Sequence, residues 1–247
     1  MRLLRITRRS CSLKALQDIF FLVIDDAGYN LDQLQYFLDL QVPLTIAVLP
    51  QLGYSEQAAA RIQAAGHEAI LHLPMEAVST VNPGPGAVYI DMTAEEIFHT
   101  VETNMQSLGI QVAGMNNHMG SKATANANVM NTVLEYIRDN GLFFLDSRTT
   151  GDSVINHITQ ELALPYIKRD VFLDNDTDKE AIHQSFQAGI EIARNEGFVI
   201  MIGHVWCQEL AEVINEVYPT VEEQGFIFHP LSALYSGTYR NREEGNE

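Results

Sequence analysis

Polar residues that could bind a metal ion or transfer a proton lie at the ends of five short strand-like runs of this 247-residue sequence. The runs cover residues 20–24, 68–71, 114–116, 143–145 and 198–202, and the groups at or just beyond their ends are Asp25 with Asp26, His72, His118, Asp146 and His204. One such residue has an ordinary structural explanation, but five at the ends of separate strands favour a shared site. Parallel strands meet at one edge, where α/β proteins collect their functional groups.

Asp25 and Asp26 are predicted to have different roles. Adjacent side chains of a regular strand point to opposite faces, so both reach one centre only where the strand has ended. Two carboxylates this close favour a cation that neutralises one of them, with Asp26 as the metal ligand and Asp25 as a proton acceptor. The alternative is an aspartate pair that caps the following helix.

Asp26, His72 and His118 form the predicted metal site. One carboxylate and two imidazoles leave coordination positions free for water, as in catalytic zinc sites. We therefore predict one divalent metal ion, with zinc preferred and ferrous iron as the alternative. Pro74 is predicted to end the strand that carries His72, and the amides before His118, including Asn117, could orient its ring.

The apolar runs alternate with helical patterns, which predicts βα units around a parallel sheet. Helices are predicted over residues 31–40, 55–65, 93–108, 126–140 and 179–196. A glycine follows four of these helices, at positions 66, 109, 141 and 197, where a left-handed residue commonly ends a helix. With about seven strand-like runs, the sequence predicts a distorted (β/α) barrel rather than an open doubly wound sheet.

The sequence predicts one barrel domain over residues 18–237, between a disordered basic extension (1–17) and a polar tail (238–247). Five of the 15 Lys and Arg residues lie in the first 17 positions, which leaves 10 basic against 32 acidic residues in the remainder. Such an acidic surface repels phosphate backbones and anionic lipid, which argues against nucleic acid as a partner and favours neutral or cationic substrates.

Membrane and disulfide signals are weak. No stretch reaches the roughly 20 apolar residues that span a bilayer, and residues 1–17 lack the apolar core of about 7 to 15 residues that a signal peptide has. Cys11 and Cys207 show no CxxC spacing, so the sequence indicates neither a disulfide framework nor a zinc ribbon.

Six segments in a fixed order resemble a known family. They are Val-Ile-Asp-Asp at 23–26, Gly-His-Glu-Ala-Ile-Leu-His-Leu-Pro-Met at 66–75, Asn-Asn-His-Met-Gly-Ser at 116–121, Phe-Leu-Asp-Ser-Arg-Thr-Thr at 144–150, Arg-Asp-Val-Phe-Leu-Asp at 169–174 and Ile-Gly-His at 202–204. The sequence resembles the divergent polysaccharide deacetylases, relatives of the NodB-type carbohydrate esterases. The resemblance implies a (β/α)-type barrel, a divalent metal at Asp26, His72 and His118, Asp25 as base and His204 as the proton-donating acid.

The sequence departs from those relatives at three places. NodB-type enzymes take both metal histidines from one His-x-x-x-His segment, whereas Glu76 stands at that distance after His72. Their Arg-x-Pro-Tyr segment has no clean counterpart. Within the divergent family Ile-Gly-His is usually followed by Pro, but Val205 and Trp206 follow here. Trp206 could stack on a sugar ring or could be an ordinary core aromatic.

The predicted activity is hydrolysis of N- or O-acetyl groups on a glycan. A metal ion would activate water, Asp25 would accept its proton, and His204 would protonate the leaving group. Asp146 could orient a ring and Arg148 could pair with a nearby carboxylate, or the two could form a structural ion pair. The alternatives are a metal- or glycan-binding protein without turnover, or a metal hydrolase of a different amide or ester. The resemblance also favours an extracytoplasmic location.

Overall fold

The computed structural model describes residues 18–237, so the predictions for residues 1–17 and 238–247 lie outside the described residues. The strands are β1 (Ile19–Ala27), β2 (Thr45–Val48), β3 (Glu68–Met75), β4 (Gly114–Met119), β5 (Phe143–Asp146), β6 (Ile167–Lys168), β7 (Val171–Phe172), β8 (Phe198–His204) and β9 (Ile227–Phe228). The helices are α1 (Leu31–Leu38), α2 (Ser55–Ala64), α3 (Ala94–Gln106), α4 (Ala127–Asp139), α5 (Ile155–Glu161), α6 (Lys179–Glu196), α7 (Gln208–Glu223) and α8 (Ser232–Ser236).

All strand pairs are parallel, in the order β6-β5-β4-β3-β2-β1-β8-β7, and β9 adds to β1. The sheet curls into a half-barrel. The two edge strands are β6, which pairs with β5, and β7, which pairs with β8. They are consecutive in the chain and are joined by residues 169–170. Between them Arg169 N–H donates to Asp146 O (3.0 Å) and Asp170 N–H donates to Ile200 O (2.9 Å). The predicted distorted (β/α) barrel is confirmed.

Side chains of β1 alternate between two apolar clusters. Phe20 and Leu22 pack with residues of the surrounding helices, whereas Phe21 and Val23 pack with inward-facing residues of the other strands. Period-two alternation puts the next inward position at Asp25, which is almost fully buried. The interior of the half-barrel is therefore apolar along most of its length and becomes polar at the C-terminal ends of the strands.

The same alternation positions the other site residues. On β3, Ile70 belongs to the inner cluster and His72 follows two residues later. On β8, Ile200 and Ile202 belong to that cluster and His204 follows. His204 therefore occupies the last inward position of β8, and His72 occupies the inward position before Pro74 near the end of β3.

The helix predictions agree closely with the structure. The five predicted helices correspond to α1, α2, α3, α4 and α6, and Gly66, Gly109, Gly141 and Gly197 all have positive φ. Thr93 and Glu96 form a capping box at the start of α3. Helices α5, α7 and α8 were not predicted; α5 and α8 span only seven and five residues, and Pro219 interrupts the helical signal of α7.

The predicted strand ends are too early, and the prediction that Pro74 ends its strand is wrong. Strand β3 continues to Met75, and Pro74 stands opposite His118 of β4. The pairing of β3 with β2 ends where Leu71 stands opposite Val48. Proline is therefore tolerated at position 74, because no hydrogen bond to β2 would need its missing N–H. No helix within residues 18–237 is both long and apolar enough to cross a membrane.

Candidate active site

Asp26, His72 and His118 converge at the C-terminal ends of β1, β3 and β4. One potential ligand atom from each lies within 4.8 Å of the other two. Asp26 Oδ1 is 3.0 Å from His118 Nδ1 and 3.3 Å from His72 Nε2, and the two imidazole nitrogens are 3.1 Å apart. The structure thus brings together three residues that lie up to 92 positions apart along the chain.

Asp26 reaches this cluster because β1 is irregular at that point. Its φ of 69° is in the left-handed region, and the register with β2 shifts between Ile24 and Ala27. For a residue with a Cβ this conformation costs about 1–2 kcal/mol. Residues that store such strain are concentrated at functional sites. The bulge, rather than the predicted end of the strand, lets Asp25 and Asp26 approach one centre.

The three residues fit a divalent cation. Asn116 Oδ1 lies 2.7 Å from His72 Nδ1, so the proton of a neutral His72 ring belongs on Nδ1 and its lone pair on Nε2, which faces Asp26. Asp26 Oδ1 is buried and has no hydrogen-bond donor among residues 18–237. Lone pairs from a carboxylate and two imidazoles therefore point at one spot, and a bound cation would satisfy all of them.

Burial and neighbouring charges shift the pKa values of the ionisable groups in this cluster. Burial favours the neutral form of Asp26, but the close His118 and His72 rings favour the carboxylate and lower the pKa of Asp26 well below its usual range. Burial also favours neutral His72, yet Asp25, Asp26 and Asn116 raise the pKa of His72 to about 8. The carboxylates around His72 thus favour positive charge at this position.

Asp25 lies beside the three potential ligands but is held by a different contact. Its Oδ1 accepts a hydrogen bond from Asn116 Nδ2 (2.8 Å), and its Oδ2 is 3.7 Å from His72 Nε2. Burial is the largest influence on Asp25 and, with the charge of Asp26, raises its pKa, against the lowering effects of His72 and His204. A carboxylate with a raised pKa next to a potential metal site is suited to accept a proton.

His204 stands opposite Asp25 in the register of β1 and β8. Its Nδ1 contacts Asp174 Oδ1 at 3.0 Å, and its backbone N–H donates to Asp174 Oδ2 at 2.7 Å. Burial alone would lower the pKa of His204, but the hydrogen bond and charge of Asp174 raise it, with help from Asp25 and Asp26. The ring stacks with Phe172 and with Trp206, at centroid distances of 5.8 and 5.0 Å.

Asn117 and Asp146 hold neighbouring loops in place. Asn117 Oδ1 accepts from Ser147 N–H (2.9 Å), and its Nδ2 donates to Met119 O (2.8 Å). Asp146 is fully buried and accepts hydrogen bonds from the Arg148 backbone N–H (2.8 Å), Ser153 Oγ (2.8 Å) and Tyr166 Oη (3.1 Å).

Arg148 therefore contacts Asp146 through its backbone, and no ion pair between their side chains occurs in the described part of the chain. The ring that Asp146 contacts is that of Tyr166, through its hydroxyl, and the carboxylate on His204 belongs to Asp174.

The contacts of two important residues were not predicted from the sequence. Asn116 connects His72 with Asp25, and Asp174 supports His204. Asn116 lies two positions before His118 and so shares its inward face, a periodicity signal that could have identified it. Asp174 ends the 169–174 segment that carries the family resemblance, but its pairing with β8 depends on distant residues.

Comparison with known proteins gives both family and fold. The family described as "Divergent polysaccharide deacetylase" matches residues 22–235. Uncharacterised proteins of Haemophilus influenzae and Escherichia coli, the latter YibQ, are each 33% identical over 183 residues, or 74% of this chain. These alignments span 65% and 57% of the two relatives, so the matched region is less than two thirds of their length.

Solved structures share the architecture. An uncharacterised protein of Agrobacterium tumefaciens, ATU2773, superimposes with a TM-score of 0.83 at 22% identity, over 90% of both chains. A family 4 carbohydrate esterase of Bacillus subtilis, PdaA, gives 0.52 at 15% identity, over 90% of this chain and 82% of its own. The catalytic domain of a peptidoglycan N-acetylglucosamine deacetylase of Eubacterium rectale gives 0.50 at 13% identity, over 87% and 89%. At these identities the likeness concerns the fold alone.

Proposed function

This chain belongs to the divergent polysaccharide deacetylase family, and from that membership and the geometry of the site we propose that it is a metal-dependent hydrolase that removes acetyl groups from a glycan. The observation that carries the proposal is the convergence of Asp26, His72 and His118, with Asp25 buried beside them and bonded to Asn116 instead. A site that only bound a metal would need the three ligands but no additional acid.

Asp26, His72 and His118 would hold one divalent ion, and zinc suits this set of one carboxylate and two imidazoles. When bound, the ion supplies Lewis acidity, which lowers the pKa of water and polarises a carbonyl. Asp25 is the proposed base: its burial keeps its pKa raised, and Asn116 Nδ2 fixes Oδ1 so that Oδ2 remains for the proton.

His204 is the proposed acid. With Nδ1 on Asp174, its Nε2 is the nitrogen that would give a proton to the leaving amine or alcohol. The raised pKa of His204 keeps more of the ring protonated near neutral pH. Asp25 and His204 are neighbours across the β1–β8 pair and project to the same side of the sheet, so the proposed base and the proposed acid lie beside one another at the site.

An acetylated glycan is the proposed substrate. The similar structures include a family 4 carbohydrate esterase and an N-acetylglucosamine deacetylase, which supports an N-acetyl sugar first and an O-acetyl sugar second. The net charge of −17 favours a neutral or cationic polymer over an anionic one. Because glycan polymers of this kind are found mainly outside the cytoplasm, we also propose an extracytoplasmic location.

The test measures acetate release from chito-oligosaccharides and from acetylated xylan, with zinc added to metal-free protein. We expect zinc-dependent release by the native chain and a loss of at least about 100-fold in Asp25→Asn, because general-base catalysis contributes about 10²–10⁴-fold. Asp32→Asn is the matched control, because Asp32 is an exposed aspartate in the first turn of α1, where it faces solvent. It should retain full activity.

Absence of acetate from every acetylated glycan, despite stoichiometric bound zinc, would overturn the deacetylase proposal. Binding of a glycan without turnover would then favour a binding protein. Release of a different acid from another ester or amide would instead favour a hydrolase of a different substrate class.

A further inference from the structure

Trp206, the single tryptophan of the chain, contacts two parts of the proposed site. Its indole Nε1–H donates a hydrogen bond to Asp26 Oδ2 at 3.1 Å. Its ring stacks on His204 with centroids 5.0 Å apart and planes inclined by 18°. The side chain nevertheless remains 44% exposed, whereas an ordinary core aromatic would be buried.

The two oxygens of Asp26 therefore have separate partners. Oδ1 faces His72 and His118, and Oδ2 is occupied by the indole. A carboxylate without the second contact could rotate about its terminal torsion, which is broad in aspartate, and present either one or two oxygens to a cation. With Oδ2 bonded to Trp206, Asp26 presents a single oxygen in a fixed direction.

We propose that Trp206 is a positioning residue that holds Asp26 as a one-oxygen ligand and fixes the plane of the His204 ring. This inference rests on the proposed metal site. Groups that orient metal ligands in this way typically change metal affinity by about 10–100-fold when they are removed. Stacking with Trp206, and with Phe172, restrains the plane of the His204 ring, so one side chain links the ligand and the acid.

The substitution Trp206→Phe tests the hydrogen bond separately from the stacking. Phenylalanine retains an aromatic face toward His204 but has no N–H for Asp26 Oδ2. Calorimetric titration of the metal-free 247-residue chain with zinc chloride should give a Kd at least about tenfold higher for this variant than for the native protein. Tyr36→Phe is the matched control, since Tyr36 on α1 is similarly exposed at 43% and also loses a polar hydrogen; its Kd should stay within about twofold.

A second measurement uses the native protein and does not depend on the folding of a variant. One tryptophan gives one indole ¹H–¹⁵N resonance, and its bond to Asp26 means that zinc should shift this resonance with the Kd found by calorimetry. A resonance that does not move would mean that the indole does not contact Asp26 when zinc is bound.

The outcomes separate the two proposals. An unchanged zinc Kd in Trp206→Phe, or an indole resonance that does not shift when zinc binds, would overturn the positioning role and leave the metal site intact. If the native chain binds no zinc at all, both the proposed function and the inference that rests on it are wrong.

Discussion

Replacing Asn116 by leucine should impair the site without any change to the metal ligands. Asn116 is fully buried and makes three polar contacts: to His72 Nδ1 (2.7 Å), to Asp25 Oδ1 (2.8 Å) and to Ser147 Oγ (3.3 Å). Leucine has a similar shape but no polar atom. The His72 N–H and one oxygen of Asp25 would remain buried without partners.

Two effects follow from these contacts. Each buried polar group without a partner costs about 1–3 kcal/mol, so the free energy of unfolding of the metal-free protein should fall by about 2–6 kcal/mol. Zinc affinity should also fall by about 10–100-fold, because His72 loses the contact that sets its tautomer and ring orientation. That change corresponds to about 1.4–2.7 kcal/mol of binding free energy.

Asn104→Leu is the matched control for the loss of a buried amide. Asn104 is also fully buried, and its bonds to Gly86 O (2.8 Å) and Gln51 Nε2 (2.7 Å) tie a loop to α3. Urea unfolding should show comparable destabilisation of both variants, while zinc titration at a temperature where both are folded should show weaker binding only for Asn116→Leu. Equal zinc affinities in the two variants would refute the assignment of Asn116 to the site.

Three further results are expected. Because the pKa of His72 is raised to about 8, zinc must displace a proton from His72 below that pH. Zinc affinity should therefore fall by about tenfold for each unit by which the pH is lowered below 8, which titrations between pH 6 and 9 would test. An affinity that does not change with pH would contradict this prediction. Asp174→Asn removes the negative charge that helps to raise the pKa of His204 and leaves one side-chain oxygen for its two N–H donors, so the alkaline limb of the activity profile should move to lower pH, and an unmoved limb would argue against His204 as the acid. Gly114→Ala would place a Cβ 2.6 Å from the backbone oxygen of Phe143, so β4 must shift from β5 and thermal unfolding should show a loss of about 1–3 kcal/mol.

Much of the fold could be predicted because its signals are local. Thr93 and Glu96 sit at the spacing of a capping box, and glycines such as Gly197 follow the predicted helices and adopt the left-handed conformation. The short strands β6, β7 and β9 were missed, because two residues are too few for any periodicity. Their strand conformation comes from pairing with β5, β8 and β1.

The candidate site also has a part that was predicted from the sequence and a part that was not. Residues of the right chemical type at the ends of buried runs were sufficient to predict that Asp26, His72 and His118 belong to one group, and the structure places them together. Their roles as ligands, and those of Asp25 and His204 in catalysis, stay predictions.

The side-chain contacts that support the site residues were decided by tertiary structure alone. Asn116 contacts His72, Asp174 contacts His204, and Trp206 contacts Asp26 from 180 positions away. The physical reason is that residue type and period-two alternation determine which side chains enter the half-barrel. Which of these side chains are in contact depends on the register between distant strands and on the bulge at Asp26. Neither feature can be read from the local sequence.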